Sequence, residues 1–203
     1  MKLYHIHRHN KYDDKFYEGN IILSGEMINC MRERYLSRCH VYLDLLKYKH
    51  KMDGAIFNGS GEPLSYDDII KSTDLQKIEL FIRTYGRSYE SMVDLRELML
   101  EEVRTLYHPE LPSRFTCMWL TDEDSVDYWD TTIDHGNNEI YEVETDGKLF
   151  ASTNKLLPWM YDSKKEMYIK AHHYWTPTDK ELNKATDKEI LLEGKAKILR
   201  RVK

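Results

Sequence analysis

The chain is poor in the residues that mark specialised classes. Its 203 residues hold three Cys, five Pro, nine Gly and five Phe. Five Pro and nine Gly exclude a collagen-like or low-complexity chain. Three Cys at positions 30, 39 and 117, with no Cys-x-x-Cys spacing, argue against a disulfide scaffold and predict reduced thiols in a cytoplasmic setting. Apolar runs stop at about five residues, such as 156–160, far short of a membrane span. The opening Met1-Lys2-Leu3-Tyr4-His5 carries no apolar stretch of the kind a secretory leader needs. There is no basic excess either. The formal net charge is −5, so tight nonspecific binding to a polyanion is not expected.

What is present is tyrosine and charge. The chain has 15 Tyr and 4 Trp. Aromatics that keep a polar handle suit a surface gripping a flat polar ligand. Charge is uneven. Residues 122–146 include Asp122, Asp124, Asp127, Glu142 and Asp146 with no Lys or Arg, whereas the last eleven residues include Lys195, Lys197, Arg200, Arg201 and Lys203.

Periodicity divides the chain. Leu3 to Arg8 reads as a strand, and residues 20–23 as a short extended piece. Residues 26–51 carry apolar side chains at three-to-four spacing without Pro or Gly, which predicts a helix. Residues 54–63 read as a loop, and Ser65 as the cap of a further helix. Residues 88–106 form the clearest helical pattern, with Met92, Leu95, Met99, Val103 and Leu106 on one face. Pro109 and Pro112 end this part. Strands are then predicted at 115–120 and 140–144, with Asp146-Gly147 turning into 149–151 as a hairpin. One or two helical turns are expected at 125–129 and a short helix near 163–173. A last hairpin joins 190–192 to 195–199. An N-terminal strand needs a distant partner. The expectation is therefore one α+β domain over residues 1–203 with a helical insertion after its first strand at roughly 26–107.

Several kinds of chemistry lack support. There is no Gly-x-Ser-x-Gly elbow, and Gly59-Ser60-Gly61 lacks the Gly-Lys-Ser/Thr of a phosphate loop. Cys117 sits in an apolar run. His5, His7 and His9 share one face of a strand but span about 13 Å, too far for one tetrahedral ion. No metal site is expected. The rival metal reading would recruit His172 or His173. A hydrogen bond from one of these histidines to a ligand hydroxyl is the simpler use.

Four pieces, in order, resemble the ADP-ribosyltransferase-like fold, and most closely a poorly characterised bacterial domain family assigned to it. The first is Leu3-Tyr4-His5. The second is Pro112-Ser113-Arg114 leading into Cys117-Met118-Trp119-Leu120-Thr121-Asp122 and Ser125-Val126-Asp127-Tyr128. The third is Ala171-His172-His173-Tyr174-Trp175. The last is Asp187-Lys188-Glu189-Ile190. The first middle aromatic is Trp119 where that fold usually has Tyr. Asp187-x-Glu189 stands where arginine-specific toxins carry Glu-x-Glu.

The resemblance implies a split antiparallel sheet core, NAD as substrate and transfer of ADP-ribose to a macromolecular acceptor, protein or nucleic acid. It implies a toxin or phage-defence setting, with an antitoxin as partner. It makes Glu189 the catalytic carboxylate. His5 would fix a ribose, and Trp119 with Tyr128 or Tyr174 would clamp nicotinamide. Arg114 would meet the pyrophosphate, beside Ser113 and Thr121. The chemistry agrees with these residue types. Breaking the nicotinamide–ribose bond builds cationic charge on the sugar, which a carboxylate offsets. The alternatives are an inactive nucleotide- or partner-binding protein of the same fold, and an antitoxin-like or structural binding protein.

Overall fold

Alternating side chains make Leu3–Arg8 a strand, β1, with the bounds the sequence suggests. The computed structural model describes residues 2–8, 15–26, 56–57, 63–64, 93, 95–159 and 162–203. Further strands are β2 (Ile21–Leu23), β3 (Ile56–Phe57), β4 (Pro63–Leu64), β5 (Met118–Asp122), β6 (Asn138–Glu144), β7 (Lys148–Thr153), β8 (Lys188–Glu193) and β9 (Lys195–Arg201). The helices are α1 (residues 95–107, with Val93 also helical), α2 (Val126–Thr132), α3 (Lys164–Trp175) and α4 (Asp179–Lys184). The class is α+β. Among these residues no helix is long and apolar enough to cross a membrane.

The chain forms two compact units, one of residues 1–32 and 96–203 and the other of residues 33–95. The second falls within the stretch read as an insertion. Besides the helical Val93 and Leu95, its described part is an antiparallel pair, Ile56 opposite Leu64 and Phe57 opposite Pro63, where the sequence suggests a loop over 54–63. The helices expected at 26–51 and after Ser65 lie outside the described residues.

The first unit holds a seven-stranded sheet in the order β2-β9-β6-β1-β5-β8-β7, antiparallel throughout. It is nearly divided at its centre. Strand β5 meets β1 at Leu3–Asp122 and Tyr4–Thr121. Its other residues, Met118 to Leu120, pair with β8. Beyond Tyr4, β1 continues with β6 alone, from His5–Tyr141 to Arg8–Asn138. Two wings therefore share a short seam and diverge after it.

The links between wings correct two expectations. Residues 145–147 and the single residue Gly194 do not close hairpins. Strand β7 pairs with β8, while β9 pairs with β6 and β2. Both links cross from one wing to the other at one corner. A Cβ on Gly194 would stand 3.0 Å from the Gly147 Cα, and Gly194 has φ +132°. A Cβ on Gly147 would stand 2.6 Å from Leu192 Cδ1 and 2.7 Å from the Glu193 oxygen. The glycines permit close backbone approach and do not build a tight turn.

Two apolar clusters hold the unit. One is formed by one face of both wings, with Leu3, Met118, Leu120, Val143, Ile190 and Ile198. The other packs the opposite face of the β5-β8-β7 wing against α1 and α3, through Leu100, Val103, Cys117, Ala171, Tyr174 and Leu191. Helix α3 is started by a capping box in which Ser163 and Glu166 exchange hydrogen bonds. Its buried stripe is Met167, Ala171, Tyr174 and Trp175. On α1 the buried stripe differs from the expected one. Leu95 and Leu106 are exposed, whereas Glu97, Met99, Leu100 and Val103 are buried. The helix is turned so that a carboxylate faces inward.

Candidate functional site

The turn before β5 aims one guanidinium inward. Ser113 accepts backbone hydrogen bonds at its carbonyl from Thr116 (3.2 Å) and Cys117 (2.9 Å). Its hydroxyl donates to Glu101 Oε1 at 2.8 Å and accepts from the Phe115 N–H at 3.2 Å. This tight turn points Arg114 beneath β5, where it is 2% exposed.

Two carboxylates share that guanidinium. Arg114 Nε donates to Glu97 Oε2 at 2.7 Å, and Nη2 to Glu97 Oε1 at 3.2 Å. Arg114 Nη1 donates to Glu189 Oε1 and to the Tyr174 hydroxyl, each at 2.5 Å. Its charge lies 4.4 Å from the Trp119 ring centroid and 4.9 Å from that of Tyr174. Glu97 also receives Arg96 Nη2 at 3.0 Å and Nε at 3.2 Å. Both carboxylates are buried, which is tolerable only because each is paired.

The electrostatics follow this pairing. Burial pushes the Glu97 carboxyl up, but the charges and hydrogen bonds of Arg114 and Arg96 outweigh it and hold it below the usual range. Burial opposes the Arg114 charge, yet Glu189 and Glu97 raise its pKa well above the ordinary value. Burial is also the main cause that lifts the Tyr174 phenol, helped by Glu189 against the pull of Arg114. Burial pushes the Cys117 thiol up as well, which fits packing and not nucleophilic chemistry.

The start of β8, and so the position of Glu189, is fixed from the β5–α2 side. The Lys188 carbonyl accepts from Thr121 Oγ1 at 2.8 Å and from Trp129 Nε1 at 2.6 Å. The Lys188 N–H donates to Ser125 Oγ at 3.1 Å, and its ammonium pairs with Asp122. Asp187 is structural. Its carboxylate accepts from Thr153 Oγ1 at 2.5 Å and from the Lys155 N–H at 3.1 Å, locking the end of β7.

The structure therefore brings Arg114, Trp119, Tyr174 and Glu189 together, with Ser113 and Thr121 as supports. The pyrophosphate role expected for Arg114 requires an outward guanidinium; here it faces the two carboxylates. His5 is placed differently. Register puts Leu3, His5 and His7 on the face of Met118 and Leu120, opposite Trp119, Thr121 and Glu189. His5 spans the diverging seam instead, with Nδ1 2.9 Å from the Trp119 carbonyl, and its ring stacks 4.9 Å from Phe16. Tyr128 stands apart and is 36% exposed. Its hydroxyl accepts from Asn154 at 2.8 Å. His9 lies outside the described residues. His172 packs on Tyr107 and Tyr168, and His173 pairs with Glu181 at 2.9 Å. Among the described residues no three or more His, Cys, Asp or Glu side chains group as metal ligands.

Sequence reasoning missed Glu97 and Trp129. Glu97 had a legible signal, since it falls three residues before Leu100 and six before Val103 on one helical stripe. A carboxylate in an apolar stripe calls for a buried cation. Trp129 had none, because only the folded α2 brings its indole to Lys188.

These features define an α+β protein whose split sheet buries an acid–guanidinium–acid cluster beside two aromatic rings. The chain belongs to the family described as a protein of unknown function (DUF2441), whose model matches residues 3–203. No curated protein matches it.

Proposed function

We propose that the protein transfers ADP-ribose from NAD to a macromolecular acceptor, with Glu189 as the catalytic carboxylate. The observation that carries this reading is the pairing of Glu189, the second residue of β8, with Arg114 beside the rings of Trp119 and Tyr174. A carboxylate so placed can hold a ribose hydroxyl and offset the charge that develops as nicotinamide leaves. The bond between ribose C1 and nicotinamide breaks, and nicotinamide takes the electron pair. The acceptor atom bonds to C1 and gives up its proton. Trp119 supplies the flat face nearest the cluster. His5 holds the seam through the Trp119 carbonyl.

The acceptor, protein or nucleic acid, is found by incubating the purified protein with isotope-labelled NAD and lysate, then reading the protein and RNA fractions separately. One ADP-ribose unit on one fraction is the expected result. Label on neither fraction, with folded protein, refutes transfer. A toxin or phage-defence role with an antitoxin partner belongs to the same proposal. It predicts that expression slows growth and that Glu189→Ala relieves it.

A second reading is a nucleotide- or partner-binding protein without turnover. It is favoured by the same ion pair, because Glu189 already spends one oxygen on Arg114 at 2.5 Å. NAD binding without nicotinamide release would select it.

A further inference from the structure

We infer that Glu97 is a positioning residue for Glu189, acting through Arg114. The inference rests on the transfer reading above. One buried guanidinium serves two buried carboxylates, and it serves them unequally. Glu97 takes the Nε–Nη2 edge with both oxygens, at 2.7 and 3.2 Å, and is itself held by Arg96. Glu189 meets the guanidinium through Nη1 only, a nitrogen it shares with the Tyr174 hydroxyl, and that hydroxyl is also hydrogen-bonded to Glu189. A two-point planar pair is geometrically the stronger and more fixed of the two. Glu189 is therefore the carboxylate that can exchange its contact for a ligand hydroxyl. Arg114 does not follow it, because Glu97 keeps the guanidinium in place. Glu97 is 2% exposed and packed on α1, so it touches no ligand itself. Remove its charge, and the balance of the guanidinium shifts from Glu97 toward Glu189. The carboxylate is then spent inside the protein.

The test uses the full chain with Glu97→Gln, which keeps the side chain's shape and removes its charge, and Glu97→Asp, which restores the charge on a shorter stem. Nicotinamide release is measured well below each variant's thermal midpoint. In Glu97→Gln, kcat per folded molecule is expected to fall by roughly 10- to 100-fold. KM for NAD is expected to stay within about threefold. Glu97→Asp is expected to recover part of kcat. A Glu97 that only stabilises the fold would leave kcat per folded molecule at the wild-type value, and that result overturns the inference. If the wild type releases no nicotinamide, the transfer reading fails by itself. The inference is then read from side-chain NMR. The Glu189 carboxyl signal shifts in Glu97→Gln if Arg114 moves onto it, and an unmoved signal overturns the inference.

Discussion

Arg114 Nη1 lies 2.5 Å from Glu189 Oε1, and both side chains are sealed from water. Such a pair brings little net stability over an apolar core, but breaking it is costly, because the surviving charge is stranded. Replacing Arg114 with Met leaves Glu97 and Glu189 buried without their shared cation. The expected loss is about 3–5 kcal/mol, read as a lowered urea midpoint with two-state analysis. A midpoint within error of the wild type would show that these carboxylates do not depend on Arg114.

The same cluster sets an acid limit. Glu97 in the unfolded chain titrates near 4.5 and in the folded protein lower, because Arg114 and Arg96 outweigh the effect of burial. The unfolded state therefore takes up the proton first as pH falls. The contribution of Glu97 is complete above the unfolded value and is lost as pH drops through the folded one. Urea midpoints between neutral pH and pH 3 should fall more steeply for the wild type than for Glu97→Gln. Parallel curves would contradict the ion-pair account.

The corner where both links change wings predicts a sharp steric response. Gly194→Ala forces a Cβ to 3.0 Å from the Gly147 backbone at φ +132°, and should cost about 1–3 kcal/mol. Gly147→Ala meets the Glu193 carbonyl at 2.7 Å, which is backbone and cannot rotate away. Thermal unfolding of the two single variants checks both. Tolerance of either would mean that the links are not so close.

These glycines also show what the sequence conceals. Strand positions follow from alternation, and Leu3–Arg8 is legible to the residue. Pairing is not. Asp146-Gly147 has the composition of a hairpin turn, but a glycine needed for room and one needed for a turn look alike in sequence. In the site, Arg114, Trp119, Tyr174 and Glu189 could be picked out by residue type and order. Their relation to His5 could not, since a change of face depends on which strands pair at the seam. Glu97 was hidden by reading α1 for apolar residues alone.

Lys188 gives a test of coupling between α2 and β8. Its carbonyl has two donors, Thr121 and Trp129. Either Thr121→Val or Trp129→Phe leaves the other donor in place and should cost about 1 kcal/mol for the lost bond itself. The double variant leaves that carbonyl without either donor, and should cost more than the two single losses combined. Chemical denaturation of the three variants measures the excess. Strict additivity would argue that the two donors act independently.

The central claim is that Glu189 performs the chemistry on NAD. The direct measurement is nicotinamide release from NAD by the purified protein, wild type beside Glu189→Gln, with folding of both checked by circular dichroism. The account predicts release by the wild type and a loss of about 100-fold or more in kcat for the variant. Equal release by both folded proteins, or none by the wild type, would contradict it.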